Sequence, residues 1–85
     1  MPVFLAAIEV HLKPGALDPA GQAVGRGLRA LGHAGVEDVR VGKHLRLRLA
    51  APDLEAARGE VQRLCSELLA NPVMETFDFT VAPEA

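Results

Sequence analysis

No second cysteine accompanies Cys65, so the chain can close no internal disulfide, and a reducing cytoplasm is the expected location. Tryptophan and tyrosine are absent, and only three phenylalanines stand among the 85 residues. Base stacking on an aromatic platform therefore has almost nothing to build on. The net charge of −2 excludes a general nucleic-acid binder and gives no pull toward an anionic membrane. No apolar run approaches the roughly 18–20 residues of a membrane span. The opening MPVFLAAIEVHL has no basic leader and is interrupted by Glu9, so no signal peptide is expected.

What is there fits one small domain, residues 1–85. At this length folding buries only about 60–65% of the unfolded chain's surface, so association with another chain would add stability. Apolar residues at 49% and charged residues at 24% are those of an ordinary globular protein.

Residues 3–12 alternate as a strand, with Phe4, Ala6, Ile8, Val10 and Leu12 on one face and Val3, Leu5, Ala7, Glu9 and His11 on the other. Lys13-Pro14-Gly15 is a turn. Asp18-Pro19 then opens a helix, Asp as N-cap and Pro at the first position, and Gly32 closes it. Val24, Leu28 and Leu31 give that helix an apolar stripe. A second helix runs from Pro52-Asp53 to Ala70, with Leu54, Ala57, Val61, Leu64 and Leu68 as its stripe; Asn71-Pro72 ends it. A last strand covers 73–81, with Val73, Phe77, Phe79 and Val81 on one face.

The middle segment VEDVRVGKHLRLRLA admits two readings. Gly42-Lys43 could turn a hairpin, which would give a ferredoxin-like β-α-β-β-α-β order. In that register Val39 and Val41 point away from Leu45, Leu47 and Leu49. One long strand bent at Gly42 keeps all five on one face and is favoured. The fold class is then α+β, an antiparallel-type sheet in β-α-β-α-β order with two helices on one face and a long bent central strand. Residues 37–49 extended span roughly 40 Å, more than the roughly 30 Å width of a domain this small. The unpaired edge should pair with another chain, most simply a second copy.

Gly25-Arg26-Gly27-Leu28-Arg29-Ala30 matches the dinucleotide pattern G-x-G-x-x-A, but it lies inside a helix already capped at Asp18 rather than directly after a strand. Close packing against a neighbour is the expected use of these glycines. His11, His33 and His44 fall on separate elements without ligand spacing, so no metal site is expected. Cys65 sits on an apolar helix face as a buried thiol. Arg40, His44, Arg46 and Arg48 line one face of the middle strand, facing either a partner or Glu9 and Asp78 on neighbouring strands. No nucleophile–base pair emerges.

Three stretches together, KPGALDPAGQAV (13–24), VEDVRVGKHLRL (36–47) and LLANPVMETFDF (68–79), resemble the PurS family, the small subunit of formylglycinamide ribonucleotide amidotransferase. The likeness runs in order over nearly the whole chain; the helix glycines Gly25, Gly27 and Gly59 depart from it. The resemblance implies a non-catalytic subunit that forms a homodimer or higher homo-oligomer. It would bridge a large synthetase subunit and a glutaminase subunit and support ammonia transfer between them. It implies that ATP, Mg and glutamine are used by the complex and that none is held by this chain. Contact with the partner subunits is expected around Arg40, Gly42, Lys43, Arg46, Asn71 and Glu75. Two other classes fit the residues, a dimeric α+β domain that binds a regulatory small molecule and a dimer with its active site between protomers. Co-purification with a large synthetase would separate both from the favoured reading.

Overall fold

The computed structural model describes residues 1–84. Strand β1, Val3–Leu12, is followed by helix α1, Pro19–Ala30, and strand β2, Lys43–Ala50. Helix α2, Leu54–Leu64, runs on into a π-helical turn, Cys65–Leu69, before strand β3, Glu75–Pro83. The sheet is antiparallel in the order β2-β1-β3, so β1 is its centre.

Alternation along β1 decides the two faces. Phe4, Ala6, Ile8 and Val10 are buried. Register sets Leu49, Leu47, Leu45 and Lys43 of β2 opposite them on one side, and Val81, Phe79 and Phe77 of β3 opposite the last three on the other. Helix α2 and the π-helical turn after it cover this face with Ala57, Val61 and Cys65, all fully buried. Burying a side chain the size of Ile8 or Val61 contributes about 1.5–3 kcal/mol. The other face, with Leu5, Ala7, Arg46, Thr80 and Ala82, carries no second layer among the described residues.

The β-α-β-α-β order is as the periodicity predicts, and among the described residues neither a hairpin at Gly42-Lys43 nor a fourth strand forms. Several details differ from the expectation. Helix α1 leaves the face assigned to both helices, and the last strand begins at Glu75, so that Val73 lies outside it and is 79% exposed. The middle strand pairs only from Lys43 to Ala50 and lies at an edge; residues 36–42 find no strand within their own chain. Helix α2 also changes phase. The π turn, closed by the bond from the Ala70 amide to the Cys65 carbonyl (3.0 Å), inserts one extra residue. Cys65 and Ala70 therefore point inward while Leu68, assigned to the stripe by regular spacing, is 82% exposed.

Helix α1 does not pack over the sheet. With the 36–42 segment it forms an arm, and Gly21 makes their close approach possible, because a Cβ there would strike the Val39 carbonyl oxygen. The packing role expected of Gly25 and Gly27 thus falls mainly to Gly21; Gly27 has open space around it. The chain measures 52 × 30 × 14 Å with a radius of gyration of 16.6 Å, where a compact domain of this length has about 12 Å.

Candidate partner interface

The residues singled out by sequence divide into three places. Arg40 and Gly42 sit at the root of the arm. Asp18, only 4% exposed, caps α1 by accepting from the Gly21 amide (2.8 Å) and also accepts from the Val41 amide (2.9 Å). These two amides hold its carboxyl below the usual 3.8; burial opposes them, and Arg40 adds a smaller push in the same direction. The Arg40 guanidinium lies 3.8 Å from Asp18 and donates to the carbonyls of Lys13 (3.2 Å) and Ala16 (3.5 Å). It thus ties the turn after β1 to the arm and does not join the β2 stripe. At Gly42 a Cβ would come within 2.6 Å of the Val10 carbonyl oxygen, so only glycine lets the chain pass there.

Lys43, Asn71 and Glu75 come together at the other side of the same sheet end. The Lys43 ammonium donates to the Leu69 carbonyl (3.1 Å) and lies 3.6 Å from the Glu75 carboxylate. That carboxylate accepts from the Asn71 amide (2.8 Å), and the Asn71 side-chain oxygen accepts from the Val73 amide (3.0 Å). Lys13, which sequence reasoning missed, completes the cluster. Its ammonium donates to the Pro72 carbonyl (2.9 Å) and its amide to the Met74 carbonyl (2.8 Å). Both lysines stand where a strand leaves the sheet, and both grip the corner between α2 and β3. Nothing in the Lys13-Pro14-Gly15 turn signals this contact, since its partners lie some sixty residues along the chain.

Arg46 stays apart. It faces the uncovered side of the sheet beside Ala7 and Thr80, with no ion pair among the described residues. Its neighbours on β2 are engaged: His44 contacts Glu9, and Arg48 holds Glu84 through two bonds of 2.6 and 2.7 Å. Asp78 meets His11 at 3.4 Å rather than a β2 cation. Burial pushes the Cys65 thiol up, away from the thiolate a nucleophile needs.

Comparison with known proteins places the chain as a whole. The family described as PurS, phosphoribosylformylglycinamidine (FGAM) synthase, matches residues 5–83. This chain belongs to the PurS family. The PurS subunit of Synechocystis is 47% identical over 74 residues, covering 87% of this chain and 74% of the relative. The Thermus thermophilus PurS structure superposes with a TM-score of 0.88 at 40% identity, covering 99% of this chain and all of that one. A chain of the PurLQS structure from Thermotoga maritima superposes at 0.87 with 35% identity, covering 96% of this chain and 100% of that one. PurS likeness thus extends over both halves of the molecule, the sheet and the arm.

Proposed function

We propose that this chain is the small, non-catalytic subunit of phosphoribosylformylglycinamidine synthase in de novo purine biosynthesis, acting in the cytoplasm. It works as a homodimer, or a higher homo-oligomer, that bridges the synthetase and glutaminase subunits and supports ammonia transfer. The observation that carries this reading is the end-to-end likeness to a chain of the PurLQS structure. ATP, Mg and glutamine belong to the other subunits. The chemistry here agrees: the one thiol is buried with its pKa raised, and Asp18, the buried carboxylate among the described residues, is committed to two backbone amides.

The arm supports the homodimer. Val24 and Leu31 of the α1 stripe are 46% and 78% exposed in the single chain. Leu45, Leu47 and Leu49 on β2 are only half-buried beside α2. A second copy would receive α1 over those leucines and pair with residues 36–42. Of the six candidate contact residues, Arg40 and Gly42 fix the arm for this exchange. Lys43, Asn71 and Glu75 shape the corner beside it, and Arg46 offers a cation on the uncovered face.

Reconstitution tests the proposal. Synthetase plus glutaminase should form the amidine from glutamine only when this chain is added, while supplied ammonia should support the reaction without it. Equal glutamine-dependent rates with and without the chain would overturn the reading. So would glutaminase activity or tight Mg-ATP binding by the chain alone.

A further inference from the structure

The corner between α2 and β3 exposes three large apolar side chains within seven residues, Leu68 at 82%, Val73 at 79% and Met74 at 42%. Surface apolar residues are unremarkable singly, but a cluster of them rimmed by polar groups marks an interaction site. This one is built. The π turn swings Leu68 outward, and Asn71, Lys13, Lys43 and Glu75 hold the main chain behind it. The carbonyls of Leu69, Pro72 and Met74 and the amides of Ala70, Asn71, Val73, Met74 and Glu75 all have partners within the chain. A protein docking here meets an apolar knob whose main chain is largely hydrogen-bonded within the chain, so less is lost on ordering it.

Charge says what kind of partner fits. Lys43 is paired with Glu75. Glu67, next to Leu68, is only weakly in the field of Arg63, which is paired with Glu60. Lys13 donates only to a carbonyl and has no carboxylate among the described residues, which leaves one uncompensated positive charge at the rim. The surfaces assigned to the second copy are α1 and the leucine face of β2, whereas the corner lies between α2 and β3 and touches β2 only through Lys43. We infer that residues 68–74 dock onto another subunit of the synthase, with Leu68 and Val73 entering an apolar socket whose rim carries a carboxylate for Lys13. This inference rests on the subunit reading above.

The test uses the full chain titrated into purified synthetase and glutaminase with glutamine and Mg-nucleotide. Leu68→Ser with Val73→Ser should raise the dissociation constant at least tenfold, with melting temperature and the chain's own solution mass unchanged. Lys13→Gln should weaken binding severalfold and flatten its salt dependence, and Lys13→Arg should restore both. Wild-type affinity in the double variant would overturn the inference, as would a fall in the chain's own solution mass, which would assign the corner to self-association. If the wild-type chain itself does not bind, the subunit reading fails and this inference with it.

Discussion

The sheet half of the molecule and the arm half follow the same local rules and reach opposite ends. In the sheet half, β1 alternates, β2 and β3 match its register, and α2 closes the face over Ile8, Val10 and Val61, all fully buried. In the arm half, α1 has a capped start, a glycine stop at Gly32 with φ of 102°, and an apolar stripe of regular spacing, yet the stripe faces solvent. A helix draws most of its stability from packing its apolar face. The arm therefore has a finished local structure and an unfinished tertiary one. On the reading proposed above, a second copy supplies what it lacks.

The largest effect expected from breaking this contrast is in the sheet. Ile8→Ala should cost about 2–5 kcal/mol, read as a lower urea midpoint, and a domain this small should be largely unfolded. Leu31→Ala, which shortens a side chain that is 78% exposed, should instead weaken self-association and leave the sheet intact.

Next comes the seam between the halves. Gly21→Ala would press a methyl group against the Val39 carbonyl and to within 2.6 Å of the Asp18 carboxylate. Overpacking of this kind costs about 1–3 kcal/mol. The cost should appear as faster hydrogen exchange in residues 36–42 and α1, with β1 and α2 still protected.

The smallest effect concerns pH. Asp18 has a folded pKa below its ordinary 3.8, so the stability it contributes is fully present above that value and is lost as pH falls through the folded one. Asp18→Asn should lower the melting temperature at neutral pH and flatten its fall below about pH 4. An unaltered acid limb in the variant would mean that another carboxylate dominates it.

Much of the local structure in both halves was legible because its signals lie close in sequence or alternate within one strand. The Asp18 cap, the Gly32 stop, the faces of β1 and the inward pair Phe77 and Phe79 follow from spacing alone. The π turn was not legible. Regular helical spacing assigns Leu68 to the buried stripe, and only the packing of Cys65 and Ala70 selects the inserted residue. The fate of residues 37–42 was half legible. Their alternation marks extended chain too long for its own domain, but the sequence does not say that β1 stops pairing them at Lys43. Among the site residues, Lys43, Asn71 and Glu75 do converge. Arg40 instead turns to Asp18 and the carbonyls of Lys13 and Ala16, contacts that depend on how a distant turn folds.

Sedimentation equilibrium of the purified chain at micromolar concentration tests most directly whether the arm is completed by a second copy. The account predicts a species of at least twice the 9.0 kDa chain mass, dissociating only together with loss of α1 protection. A stable, fully folded monomer with α1 protected from exchange would contradict it.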